Sequence, residues 1–379
     1  MTSKKKRILF VGSFKKTSKD GGVGGQMFAC KTIVNSELSN FVDWNLIDTT
    51  ADSNILASNY MRIKKAVLRL IQFTYNLIFY KHDYVLIFVA DGWSFWEKGL
   101  MSVMAKWLTN SKVVLAPRSG FIINDLQKEN RLSGFIRYVF NKVDMVICQS
   151  ESWKDLFEKT IARKDDAKFI IIENIIDFDN YKDVEINKRG DEETVIVLFM
   201  AWVSKEKGIY ELLAAAKKLK EENTKFKLLI GGLGKDYEKA VAIVEDSGLS
   251  DCVEFKGWVL GEHKIEILNQ SDIFVLPTYF DGYPNSLMEA MASGKACVAT
   301  KVGSIPDMIN NYKTGILIDK QNEQQLYESI KVLVEDQKLR LELGANARTK
   351  TEAINSIPAG ISKYKKIFNI DTKNSDNER

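Results

Sequence analysis

The chain has 379 residues, a length that points to two domains rather than one. With 45% hydrophobic and 27% charged residues it can bury sizeable cores, which excludes the disordered and fibrous classes. The net charge of +4 is unevenly spread: residues 1–183 hold 27 Lys and Arg against 20 Asp and Glu, and the remainder 27 against 30. Four cysteines, Cys30, Cys148, Cys252 and Cys297, lack CxxC spacing, which argues against a disulfide framework or a cysteine zinc site and for a reducing compartment. The two histidines, His82 and His263, cannot form an HExxH pair, so histidine-based metal chemistry is not expected. The apolar run Ile8 to Gly12 is too short for a signal-peptide core and reads as a first buried strand. No stretch approaches about 18 uninterrupted apolar residues, so no transmembrane helix is expected.

In chain order, short runs rich in Val, Ile and Phe alternate with helical patterns, the signature of βα units and parallel sheets. The first half has such runs at 8–12, 44–48, 84–90, 112–116, 145–149 and 169–172. Behind the first run, Gly21, Gly22, Gly24 and Gly25 form a loop whose lack of Cβ atoms lets backbone approach a phosphate or sugar; a mobile surface loop also fits. The stretch Met61 to Tyr80 is a basic amphipathic helix with Ile63, Ala66, Val67, Leu70, Thr74 and Leu77 on one face and Arg62, Lys65 and Arg69 on another. Such a helix can pack on a sheet or, through Arg62, Lys64, Lys65 and Arg69, lie on anionic lipid. Arg118 sits at a strand's carboxyl end, suited to a donor phosphate, an anionic acceptor or a structural partner.

Periodicity then pauses across 177–193, as in a linker, and restarts with runs at 194–200, 227–230, 253–257, 273–276, 296–300 and 315–318. The organisation expected is α/β: two tandem Rossmann-like, doubly wound domains facing across a cleft. Their bounds are 1–180, a linker at 181–193, 194–354, a C-terminal helix at 355–370 returning to the first domain, and a disordered tail at 371–379. Doubly wound sheets bind ligands at the carboxyl ends of their strands, and this is where the chemistry should be.

Two such ends stand out. After the run at 194–200, Lys207 and Gly208 precede a helix; a lysine there can meet a diphosphate, although a solvated residue of a KEK run also fits. Gly231, Gly232 and Gly234 lack GxGxxG spacing and read as a tight turn, which disfavours a nicotinamide site. After IFVLP, the segment Asp281-Gly282-Tyr283-Pro284 is a turn and Asn285 to Ala292 a short helix ended by Gly294. A helix N-terminus behind a glycine turn suits an anion, because its backbone N–H groups and dipole point outward. Asp281 and Glu289 add carboxylates that can accept bonds from vicinal sugar hydroxyls, or serve merely as a turn former and a surface residue.

These segments, with the order GWVLGEHKIEILNQSDIFVLPTYF, DGYPNSLMEAMASGKACVAT and VGSIPDMINNYKTGILI, resemble family 4 retaining glycosyltransferases of the GT-B fold. KDGGVGGQMFACKTI is similar to the family's glycine-rich loop and ENIID to its interdomain Asn-x-x-Asp turn. The resemblance implies a metal-independent enzyme that moves a hexosyl group from a nucleotide sugar to a glycan or lipid-linked acceptor hydroxyl with retained configuration, as in surface polysaccharide or glycolipid synthesis. It implies catalytic roles for Asp281, Lys207 and Glu289, with Glu289 on the ribose, Asp281 on the transferred sugar and Lys207 on the diphosphate. Donor contacts extend to Gly21, Gly22, Arg118, Trp202, Gly282, Tyr283, Pro284 and Asn285. Two departures stand out: Asp281 replaces the family's Glu, one methylene longer, and Trp202 replaces an Arg. No cofactor and no nucleic acid partner is implied, and a cytoplasmic location is expected, peripheral on the inner membrane face. A nucleotide-sugar epimerase of similar fold and a non-catalytic partner subunit are the alternatives.

Overall fold

The computed structural model of the chain describes residues 4–15, 25–50, 59–160, 168–186 and 193–370. Gly21, Gly22 and Gly24, residues 187–192 of the expected linker, and the tail at 371–379 lie outside the described residues. The chain divides into two compact units, Met1–Ile175 with Ile357–Arg379, and Ile176–Ser356.

The first unit has a parallel sheet of β1 (Lys6–Gly12), β2 (Val42–Asp48), β3 (Tyr84–Val89), β4 (Lys112–Pro117), β5 (Met145–Cys148) and β6 (Phe169–Ile171), in the order β2-β1-β3-β4-β5-β6. Its helices include α1 (Gly25–Asn35), α2 (Asn59–Phe79), α3 (Gly92–Leu108), α4 (Phe121–Gln127), α5 (Arg131–Lys142) and α6 (Glu151–Glu158). Side chains alternate across a strand, so Leu9 and Val11 enter the core beneath α2 and α3 while Ile8 and Phe10 enter a second core on the opposite face. Burial on both faces is why each strand reads as a continuous apolar run.

The second unit repeats the plan with β7 (Val195–Met200), β8 (Phe226–Gly231), β9 (Val253–Gly257), β10 (Ile273–Leu276), β11 (Ala296–Thr300) and β12 (Ile316–Ile318). Its helices include α7 (Ile209–Glu221), α8 (Tyr237–Asp246), α9 (Gly261–Gln270), α10 (Asn285–Ala292), α11 (Ile305–Met308), α12 (Glu323–Glu335) and α13 (Gln337–Asn355). The parallel order β12-β11-β10-β7-β8-β9 reverses direction between β7 and β10. Helices connected on opposite sides of that reversal leave a crevice above the carboxyl ends of β7 and β10, the place where such sheets bind ligands.

The last helix, expected at 355–370, spans Ile357–Ile367, and Asn355 belongs to the helix before it. Ser356 is extended (φ −63°, ψ 156°) and separates α13 from α14 (Ile357–Ile367). Pro358 has no N–H to continue α13, whereas near a helix start the missing donor costs little. The last helix belongs to the first unit, where Ile361, Tyr364 and Phe368 pack into the core lined by Ile8 and Phe10.

The helix near 61–80 packs the expected face only in part: Leu77 is buried and Leu70 packs on the same core, joined by Phe73, whereas Ile63 and Val67 of that face are exposed. Arg69, expected on a solvated basic face, instead forms a two-pronged ion pair with Glu97 of α3, at 2.6 and 2.8 Å.

Lys98 lies buried on α3, and desolvation, opposed by the nearby Glu97 carboxylate, pulls its pKa down to about 8. From about 8 to the ordinary 10.5 the unfolded chain keeps this proton while the folded chain releases it, so stability rises with pH across that window. Lys98→Met is therefore expected to raise the thermal midpoint at pH 7, with the gain over wild type shrinking between pH 8 and 10.5. A variant less stable than wild type at pH 7 would contradict this account.

Candidate active site

The loops that leave β7 and β10 are joined backbone to backbone. Tyr279 N donates to Glu206 O at 2.8 Å, and the buried Thr278 hydroxyl donates to the same carbonyl at 3.2 Å. Lys205–Lys207 forms one 3₁₀ turn closed by Gly208 at φ +77°, where a Cβ would lie 2.1 Å from Pro277 O. Only glycine allows this approach and this left-handed backbone together. The turn delivers Lys207 to Asp281, with Nζ 2.5 Å from Oδ2 and both side chains about four-fifths covered. The other oxygen of Asp281 accepts from Gly282 N at 3.0 Å.

A third loop backs the main chain of the Asp281 turn. Ser304 N donates to Gly282 O at 3.0 Å, and Gly303, at φ +56°, is so close that a Cβ would fall 1.8 Å from Asp281 O. Pro284 then opens α10 without a side-chain cap, so the helix start presents backbone N–H groups and the positive end of its dipole beside the Asp281 turn. Tyr283 is buried, and its hydroxyl accepts from Asn355 Nδ2 at 2.7 Å.

One turn into α10, Glu289 accepts from Lys264 Nζ of α9 at 2.6 Å. Tyr181 also bonds this carboxylate, and burial, reinforced by Glu289, holds the tyrosine hydroxyl protonated far above its ordinary range. Neither Lys264 nor Tyr181 was singled out from sequence: Lys264 lies in an ordinary amphipathic pattern and Tyr181 in the linker, 108 positions before its partner. The structure thus sets a lysine on each of the two motif carboxylates.

Trp202, after β7, packs against Trp258, after β9, with ring centroids 5.0 Å apart. Backbone pairing continues past the strand ends here, with Ala201 N donating to Gly231 O at 3.1 Å, Gly232 N to Gly257 O at 2.6 Å and Val203 N to Leu233 O at 3.1 Å. The two indoles remain 54% and 41% exposed, a pair of large rings offered to solvent at the same edge of the sheet as Lys207. Such rings suit stacking on a planar base or the apolar face of a sugar.

Arg118, in the first unit, is occupied. Its Nη atoms donate to Asn174 Oδ1 at 2.9 Å and Tyr364 OH at 3.0 Å, and its guanidinium lies 4.1 Å from the centroid of the Phe88 ring. It ties α14 to the first sheet, and meeting a donor phosphate would require these bonds to break. Asn174 of the ENIID segment also accepts from Gln149 at 2.7 Å. Among the described residues, no group of three or more His, Cys, Asp and Glu side chains is arranged to hold a metal ion.

Gly303→Ala is expected to destabilise the second unit by about 1–3 kcal/mol, through left-handed strain and the clash with Asp281 O. Thermal unfolding checks it; an unchanged midpoint would show that the loop yields freely.

Residues 182–350 match the family described as glycosyl transferases group 1. The chain is 35% identical over 167 residues to the N,N'-diacetylbacillosaminyl-diphospho-undecaprenol alpha-1,3-N-acetylgalactosaminyltransferase of Campylobacter jejuni, covering 44% of this chain and 41% of that one. It is 24% identical to the capsular polysaccharide biosynthesis glycosyltransferase CapM of Staphylococcus aureus, over 68% of this chain and 70% of CapM. The match therefore spans less than half the length of the first relative. In structure, it is similar to HepE of Anabaena solved with UDP-glucose, with a TM-score of 0.71, 16% identity and coverage of 96% of this chain and 100% of that one, a likeness of fold. Lys207, Asp281 and Glu289 all fall within the segment that matches the glycosyl transferases group 1 model, and the fold of the chain is GT-B.

Proposed function

We propose that the protein transfers a hexosyl group from a nucleotide sugar to an acceptor hydroxyl on a glycan or lipid-linked glycan, with retention of configuration and without a metal ion. The observation that carries this reading is the Lys207–Asp281 pair above the crevice of the second sheet, next to the open N-terminus of α10. A nucleoside diphosphate laid there meets a fixed cation and a helix dipole where negative charge grows as the glycosidic bond breaks. In that step the bond from the anomeric carbon to the diphosphate oxygen breaks, a bond to the acceptor oxygen forms, and the acceptor proton passes to the departing diphosphate. Asp281 holds the Lys207 ammonium in place and reaches the sugar, while Glu289 receives the ribose hydroxyls. Trp202 and Trp258 give the nucleoside a stacking surface.

The relatives support the substrate class. One is named for transfer to a diphospho-undecaprenol-linked sugar and another for capsular polysaccharide synthesis, and a structural neighbour was solved with UDP-glucose. A cytoplasmic setting fits the four cysteines, all free thiols.

Lys207→Met is expected to lower turnover by roughly 10²- to 10³-fold while weakening donor binding much less, because charge grows in the transition state. Glu289→Gln should weaken binding of free nucleoside diphosphate by roughly ten- to a hundred-fold, as for loss of a charge-assisted acceptor. Steady-state kinetics and calorimetry with UDP, GDP and ADP sugars measure both. Near-normal turnover in the lysine variant would overturn the diphosphate role, and unchanged nucleotide affinity in the glutamine variant the ribose role.

A further inference from the structure

We infer that the outer face of α2 and α3 is a bilayer-docking surface, which seats the first unit on anionic lipid by shallow insertion of an apolar stripe. The two helices lie on one face of the first sheet, their inner residues Phe73, Leu77, Phe95 and Met101 sharing a core, and the Arg69–Glu97 pair joins them. Their outward side is apolar along its length. Ile63, Val67, Ile71 and Ile78 follow one another along α2 at helical spacing, Ile63 being 65% exposed, and Trp93 and Trp107 stand out from α3 at 89% and 71% exposure. Among the described residues, most of the exposed large apolar side chains of the protein lie on these two helices.

Exposed apolar surface of this extent is costly in water and marks a contact. Its charges select the occupant. The sequence of α2 contains Arg62, Lys64, Lys65 and Arg69 and no acidic residue, and the single acid of α3, Glu97, is taken by Arg69. Arg62 and Lys64 are exposed at the start of the stripe; at its far end Arg7 and Lys81 are balanced by the exposed Asp43 and Asp83. An apolar stripe with a basic start and protruding tryptophans matches an anionic leaflet, whose headgroups take the cations and whose interface takes the indoles. No helix among the described residues is long and apolar enough to cross a membrane, so α2, roughly 30 Å long, lies along the surface. This alters the basis expected from sequence: insertion of Ile and Trp side chains leads, and Arg69 takes no part in lipid contact.

The inference is independent of the transferase reading and is tested separately. The full chain is co-sedimented with phosphatidylglycerol/phosphatidylcholine vesicles and with pure phosphatidylcholine vesicles, at low and physiological salt. Wild type should partition onto the anionic vesicles, and Ile71→Glu/Ile78→Glu should lose at least tenfold of that partitioning. Arg62→Gln/Lys64→Gln should lose about fivefold per charge at low salt. Both double variants change exposed positions, so their thermal midpoints and nucleotide affinities should stay at wild-type values. Wild type failing to bind anionic vesicles at low salt would overturn the inference, as would unchanged partitioning of the glutamate variant. A wild-type dimer that Ile71→Glu/Ile78→Glu converts to monomer would overturn it in favour of a second copy.

Discussion

The architecture of the second unit depends on one constraint: a parallel sheet whose strand order reverses must leave its β7 and β10 loops side by side with no helix between them. Everything of chemical interest there grows from how those loops are pinned. Backbone bonds from Tyr279 and Thr278 to Glu206 join them, and Gly208 and Gly303 let three chain segments approach closer than any side chain would permit. The result is rigid placement of Lys207 and Asp281 by elements that do not themselves touch a ligand, which is how a site is preorganised.

The electrostatic design follows from that placement. Asp281 and Glu289 are largely covered, and a lone carboxylate so placed would carry a desolvation cost; each is answered by a lysine, Lys207 and Lys264. On the proposed reading, a nucleotide would exchange partners rather than fill an empty site: its diphosphate would compete with Asp281 for Lys207, and its ribose with Lys264 and Tyr181 for Glu289. Trp202 in place of an arginine removes one cation from the β7 loop, while Lys264 brings another to the α10 side from a different helix.

Much of this was legible in the sequence. The α10 limits, Asn285 to Ala292, and the strands at 253–257, 273–276 and 296–300 agree with the structure residue for residue, because turn residues and short β-rich runs leave little choice of boundary. What sequence could not show were partners brought together by tertiary packing. Lys264 meets Glu289 across 25 positions, and Arg118 meets Tyr364 across 246. In α2 the expected face packs only toward its C-terminal half: Leu70 and Leu77 meet the core together with Phe73, while Ile63 and Val67 of the same face are exposed.

The central claim is that the donor nucleotide binds at the carboxyl ends of β7 and β10. Hydrogen–deuterium exchange of the full chain, with and without saturating UDP, GDP or ADP, tests it without any need for an acceptor or for turnover. The account predicts that the nucleotide that binds slows exchange in the segments around Lys205–Gly208 and Asp281–Glu289, with little change along β1 to β6. Protection confined to the first unit, or binding that leaves both of those loops unaltered, would contradict it.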